Sequence, residues 1–184
     1  MKVLNIVGTA RKGRKSIHAA QHVDKAFEEK GHETEIFDLA EEEFPPLGNR
    51  TYVDDEEPVP ESAEKLSQKV EESDFIVITT PEYNHSFPGI LKTALDYLYS
   101  EYEDKPFGFV TVSAGGFGGV RSLSHLHDIV IEFSGFIGPD LQISRVGDVF
   151  DEEGKLLDES YDDRFEAFVD NSKEFREKLE NGIE

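Results

Sequence analysis

The chain has no cysteine, no tryptophan and a single methionine, and it is short of cations: 19 Lys plus Arg stand against 40 Asp plus Glu in 184 residues. Without cysteine there is no disulfide framework, thiol nucleophile or thiolate metal site, so any redox chemistry must come from a bound cofactor. No apolar run approaches the roughly 18 residues needed to span a bilayer. The opening Met1–Val7 stretch runs into a glycine turn with no signal-peptide cleavage site, which predicts a soluble, cytoplasmic protein. A formal net charge of −21 repels nucleic-acid phosphates and anionic lipid, so neither nucleic acid nor membrane is expected as a partner. The acids are scattered along the chain, a pattern that fits a halophilic surface suited to high salt better than an acidic docking face.

What is present reads as strands and helices in alternation. Val3–Val7, Glu33–Leu39, Phe75–Thr79, Pro106–Val112 and Leu141–Val146 read as strands, the second alternating enough to lie near an edge. Helical spacing appears from Ser16 to Gly31, from Ser62 to Ser73, from Pro88 to Ser100, from Leu123 to Phe133 and from Tyr161 to Leu179. Residues 41–60 hold four prolines, one glycine and many acids, and read as an irregular surface excursion or a lid. Ser134–Pro139 reads as a turn. Strand and helix repeated five times imply right-handed crossovers and one domain over 1–184. The architecture predicted is α/β: a flavodoxin-like three-layer fold with a five-stranded parallel sheet in the order 2-1-3-4-5 and helices on both faces, which holds a flavin mononucleotide at its switch point.

Three strand-end turns would then share one rim. Gly8–Ser16 carries two glycines and four cations (Arg11, Lys12, Arg14, Lys15) at a helix N-terminus, where free N–H groups and the helix dipole favour an anion. It matches neither the dinucleotide fingerprint nor the P-loop, so a mononucleotide phosphate is the better guess. Pro81-Glu82-Tyr83-Asn84-His85-Ser86 follows a buried strand. Pro81 cannot extend the strand ladder, which predicts that the next N–H groups turn toward a ligand edge. Ser113–Arg121 contains four glycines in five residues, which lets backbone approach a flat ligand. His18 and His22, or His125 and His127, have spacings seen in metal sites but no third ligand, so no metal is predicted.

These turns carry a resemblance. Pro81–Ser86 with Pro88-Gly89, Leu91-Lys92 and Ala94-Leu95-Asp96, supported by Gly8-Thr9-x-Arg11 and Gly115-Gly116-x-Gly118-Gly119-x-Arg121, is similar to the NADPH-dependent FMN reductases, which include chromate, quinone and azo-dye reductases. The resemblance implies FMN as cofactor and NADPH or NADH as co-substrate. It places the phosphate on Thr9, Arg11 and Ser16, with Arg14 as an added cation where many members have G-S-x-R-x-x-S-x-N. The isoalloxazine edge would meet Pro81, Glu82, Tyr83 and Asn84, and the ring Ser113, Gly115 and Gly116.

The activity implied is hydride transfer from NAD(P)H to FMN and on to a small-molecule acceptor: a flavin, a quinone, an azo compound or a metal oxyanion. No side chain is predicted to act as a catalytic acid or base; Glu82 reads as a solvated carboxylate, and His85 as a possible substrate-side residue only. Leu91, Leu95, Tyr97, Leu98, Tyr99 and Tyr102 are more large groups than one sheet face should need, which predicts a homodimer or homotetramer. A flavodoxin-type electron carrier and a flavin-free interaction module on the same fold stay open at this point.

Overall fold

Strands apolar at consecutive positions, as in Phe75–Ile78, must be covered on both faces, and the computed structural model, described for residues 1–53 and 58–182, shows how. The elements are β1 (Lys2–Val7), α1 (Ser16–Glu29), β2 (Glu33–Asp38), α2 (Glu61–Glu72), β3 (Phe75–Pro81), α3 (Gly89–Asp96), β4 (Pro106–Val112), α4 (Val120–Glu132), β5 (Phe136–Ile143), α5 (Val146–Val149) and α6 (Ser160–Asn181). The sheet order is β2-β1-β3-β4-β5, and every pairing is parallel. Leu4, Ile6, Ile76, Ile78, Phe107 and Phe109 point to the side covered by Leu66, Val70, Leu91, Leu95, Leu123 and Leu126 of α2, α3 and α4. Val3, Phe75, Val77, Val110 and Val112 point to the other, against Val23 and Phe27 of α1 and Phe165, Phe168 and Val169 of α6. This flavodoxin-like three-layer arrangement sets the carboxyl ends of β1, β3 and β4 side by side.

Three sequence expectations are corrected here. The last strand begins at Phe136, not Leu141, and ends at Ile143, with α5 occupying Val146–Val149. Pro139 misled the reading: β5 is an edge strand, and its register slips between the β4 residues Phe107 and Phe109, where an irregularity absorbs a residue without an N–H to give. β3 likewise runs through Pro81, which stands in register with Val112. The ladder then continues past the proline, because the Glu82 N–H donates to the Val112 carbonyl at 3.1 Å. The third correction concerns the large groups of α3 and the segment after it. Leu91, Leu95, Tyr97, Leu98 and Tyr102 are all 1% exposed or less, so the subunit's own core accounts for them and they give no reason for a subunit contact.

The described part of the 41–60 excursion is bolted down. The Tyr97 hydroxyl donates to the carbonyls of Pro45 and Pro46, each at 3.2 Å. The Thr51 N–H and hydroxyl both donate to the Tyr97 carbonyl at 2.9 Å, and Phe44 packs against Phe37 and Tyr97. Residues 54–57, within the stretch read as an excursion or lid, lie outside the described residues.

Candidate functional site

At the carboxyl rim of the sheet a cavity of about 350 Å³ is lined by Arg11, Gly13, Arg14, Lys15 and Ser16 from the first loop, by Pro81, Glu82 and Tyr83 from the second, by Val112, Ser113 and Ala114 from the third, and by Val146 and Gly147 beyond β5. It falls where an open α/β sheet binds ligands, and its size suits a small cofactor. Of the residues singled out from sequence, Arg11, Arg14, Ser16, Pro81, Glu82, Tyr83 and Ser113 line it. Thr9, Asn84, Gly115 and Gly116 are not among its lining residues.

The phosphate-loop end has the donors an anion needs. Ser16 opens α1, and its hydroxyl is buried with no hydrogen-bond partner among the described residues. Lys15, at the N-cap, makes no side-chain capping bond; its carbonyl accepts from the His18 N–H at 3.2 Å, which leaves the Ser16 and Ile17 N–H groups without a partner among the described residues. A buried polar group without a partner carries a penalty that a bound acceptor would remove. That is the observation by which this loop fits an FMN phosphate.

The four cations of the loop divide in a way the sequence does not reveal. Arg14 forms an ion pair with Asp38 at the end of β2. Lys15 donates to the Phe150 carbonyl at 2.8 Å and pairs with Glu152 at 2.9 Å. Among the described residues the Arg11 guanidinium has one bond, at 3.5 Å to the Gly13 carbonyl, and neither it nor Lys12 forms an ion pair. Arg14 therefore enters the site already half-neutralised, and Lys15 fastens the loop to the segment after α5.

The middle loop is a tight turn. Tyr83 and Ser86 exchange both backbone bonds, at 2.7 and 3.0 Å. Asn84 and His85 both have positive φ, 51° and 66°, as a type I′ hairpin turn requires. Because the Glu82 and Tyr83 N–H groups are consumed inside the protein, the N–H groups open to a ligand on this turn are narrowed to those of Asn84 and His85. The Tyr83 hydroxyl lies 3.0 Å from Thr9 Oγ1, joining the first two loops.

Helix α4 holds this turn from behind, through residues whose role the sequence reading missed. The fully buried Ser122 hydroxyl is shared between the carbonyls of Ser86 at 2.8 Å and Pro81 at 3.2 Å. His125 Nδ1 is 2.9 Å from Ser86 Oγ. Glu82 accepts from the Arg121 N–H at 3.3 Å and faces the Arg121 guanidinium at 3.6 Å, with 14% of its side chain exposed. The carboxylate read as solvated is thus a tie to α4. The order 2-1-3-4-5 places the α4 N-terminus beside the end of β3.

The glycine loop splits its work. A Cβ on Gly119 would lie 2.9 Å from Thr111 Cβ, and one on Gly118 2.5 Å from Gln142 Cβ, both at positive φ. Those two glycines serve packing. Gly115 faces open space, and Gly116 has only Arg145 nearby, so the approach side of the loop is clear. The Ser113 hydroxyl donates to the Gly115 carbonyl at 2.9 Å.

Beneath the phosphate loop runs a buried polar chain. Thr79 donates to Asn5 Oδ1 at 2.8 Å, and Asn5 Nδ2 donates to Asp24 at 2.7 Å. Burial pushes the Asp24 carboxyl up to about 6, against the bonds from Asn5 and Thr34 that favour its charged form. The histidines pack: His22 stacks on Phe150 and Phe165 and is bonded to the Gly154 carbonyl, and His127 lies edge-on to Phe109. Among the described residues no group of three or more His, Asp or Glu is placed to hold a metal ion, and no helix is long and apolar enough to cross a membrane.

Comparison with known proteins points to one family. A family model for NADPH-dependent FMN reductases matches residues 1–149. An FMN-dependent NADPH-azoreductase of Staphylococcus saprophyticus is 33% identical over 183 residues, covering 94% of this chain and 97% of the relative. One of Staphylococcus aureus is 32% identical over 186 residues, with the same coverage. Among solved structures, FerB, a flavoenzyme NAD(P)H:(acceptor) oxidoreductase of Paracoccus denitrificans, superposes with a TM-score of 0.78 at 24% identity, covering 97% of this chain and 98% of that one. The azoreductase AzrA gives 0.60 at 15% identity, over 99% of this chain and 100% of that one; both structures speak to the fold. Matched by the family model over most of its length and by curated relatives almost end to end, the chain belongs to the NADPH-dependent FMN reductase family.

Proposed function

We propose that this chain is an NAD(P)H-dependent reductase that holds FMN in the rim cavity and passes electrons to a quinone, an azo compound, a free flavin or a metal oxyanion. The observation that carries the reading is the unpartnered, buried Ser16 hydroxyl at an uncapped helix start, at one end of a cavity whose other walls are the 81–83 and 113–114 segments. In this assignment Thr9, Arg11 and Ser16 hold the phosphate, with Arg14 adding charge while it keeps Asp38. The 81–84 segment, through Pro81, Glu82, Tyr83 and Asn84, meets the ring edge, and Ser113, Gly115 and Gly116 meet the ring itself. FMN, when bound, supplies the capacity to take a hydride from NAD(P)H and give up two electrons. The protein's part is placement: first-turn N–H groups and Ser16 toward the phosphate, the Asn84 and His85 N–H groups toward the edge where charge builds on reduction, and a tied Glu82 that leaves no free acid there.

The spectrum of the purified protein before and after NADPH tests this. Flavin bands that bleach on addition are expected; a protein with no flavin that takes up no added FMN would overturn the reading. A flavin that neither NADPH nor NADH bleaches would assign the chain to electron carriage.

We further propose one domain over 1–184, a cytoplasmic location, a halophilic surface and a homodimer or homotetramer. Support for assembly now rests on exposed apolar groups, Tyr52, Tyr99 and Ile131, and native mass in low and high salt decides it.

A further inference from the structure

Arg145 sits where its backbone is strained and its charge has no carboxylate partner among the described residues. Its φ is +46°, in the left-handed region, which a long side chain does not choose. Two bonds hold it there: its own N–H donates to the Gly115 carbonyl at 2.9 Å, and the next N–H, of Val146, donates to the Ser113 carbonyl at 3.0 Å. The turn that carries Arg145 is therefore fastened to the loop assigned to the flavin ring, and the residues after it, Val146 and Gly147, line the cavity. The guanidinium reaches back over Gly116, 3.8 Å from where a Cβ would stand, and the residue is exposed. In a chain of net charge −21, where Lys2, Lys30, Lys65, Lys69 and Lys92 all lie against carboxylates, Arg145, like Arg11 and Arg164, keeps its full charge, since all three have no ion pair among the described residues.

The cavity floor already has its own anion site at Ser16, about which Arg145 has nothing to say. What the arginine faces is Gly116 of the glycine loop, so a second substrate settling on a ring held against that loop would come within its reach. The nicotinamide dinucleotides are polyanions, and the surrounding acidic surface repels them. We infer that Arg145 is the docking cation for an organic anion, a phosphate group of the nicotinamide co-substrate or an acidic substituent of the acceptor, as it settles over the glycine loop. This rests on the reductase reading above. A planar guanidinium suits phosphate or sulfonate through paired N–H donors.

The test uses the FMN-loaded protein and three variants. R145G removes the charge and relieves the strained φ, R145A removes the charge and keeps the strain, and R145K keeps the charge without the fork. Stopped-flow bleaching at increasing NADPH gives the apparent Kd and the limiting rate separately. In R145G and R145A the apparent Kd should rise about tenfold, with the limiting rate and the FMN affinity unchanged; R145K should fall between. R145G should also melt a few degrees higher than wild type, roughly 2–4 °C, since glycine accepts the backbone angle without strain.

A loss confined to NADPH assigns the contact to its 2′-phosphate, and an equal loss with NADH assigns it to the pyrophosphate. A loss seen only with a sulfonated azo dye, and not with an uncharged quinone, assigns it to the acceptor. Unchanged constants for both nicotinamides and both acceptors would overturn the inference, as would a loss that appears in FMN affinity alone. A wild-type protein that NADPH does not bleach would instead remove the reductase reading on which it rests.

Discussion

Replacing Asp24 with asparagine should leave stability little changed in acid and raise it at neutral pH, the reverse of what losing a charge from an ion-paired carboxylate would do. Asp24 is 7% exposed, and its contact with Asn5 is a hydrogen bond to a neutral amide. Its carboxyl is raised from an ordinary value of 3.8 to about 6, mainly by burial. Below about pH 4 both folded and unfolded chains carry the proton, and the group contributes nothing to the pH dependence. Between 3.8 and about 6 the unfolded chain releases its proton while the native state holds it, so stability falls as pH rises. Above that window the cost is constant. A rise of that size, at about 1.4 kcal/mol per pH unit, is worth on the order of 3 kcal/mol.

The asparagine variant cannot ionise, and its carbonyl can still accept from Asn5 Nδ2. Urea unfolding of the apoprotein at fixed high salt, from about pH 4 to about pH 7.5, measures both proteins. The variant should gain roughly 3 kcal/mol over wild type across that range and then run parallel to it. An unchanged difference between the two proteins at the two ends, or a variant less stable at neutral pH, would refute the argument that burial dominates at this site.

Ser16→Ala removes a hydroxyl that has no partner among the described residues, so the apoprotein should unfold at the same urea concentration or a slightly higher one while FMN binds about 3–10-fold more weakly, by fluorescence titration. Ser122→Ala removes the buried donor shared by the Pro81 and Ser86 carbonyls, the second of which keeps the Tyr83 N–H; about 1 kcal/mol of stability should be lost in urea, and Ser122→Thr should recover part of it. Gly8→Ala would place a Cβ 2.7 Å from Leu91 Cδ2 and 2.9 Å from Thr80 Oγ1, an overpacking that should cost about 1–3 kcal/mol by thermal melting.

Most of the fold was legible because its signals are local. Short continuous apolar runs, glycine stops such as Gly31 and the order of elements fix a doubly wound sheet without any long-range knowledge. The start of β5 was not legible, because Pro139 is a valid turn signal unless a register slip in the neighbouring strand is known. The site divides along the same line. Its three loops could be named from sequence, yet Arg14 and Lys15 find their partners 24 and 137 residues further on, at Asp38 and Glu152, and periodicity says nothing of such pairs. Asp38 had one usable signal: β2 lies beside β1 in the predicted order, so its last residue must flank the first loop. The aromatic groups after α3 misled for the opposite reason, since a composition argument cannot count how much core a long segment crossing behind them, such as 44–51, provides.

The bonds around the rim form a closed circuit. Thr9 meets Tyr83; the turn of Tyr83 is tied to α4 through Ser122; the loop before α4 is tied to the turn at Arg145 and Val146; and Phe150, just beyond, is tied back to Lys15 of the first loop. A cofactor entering such a ring meets walls that are already standing, so little conformational entropy is lost on arrival and more of the contact energy survives as affinity. The same bracing makes the loops interdependent: a substitution that suits one loop in isolation must also be tolerated by its neighbours on either side, which restricts how this rim can be re-engineered one segment at a time.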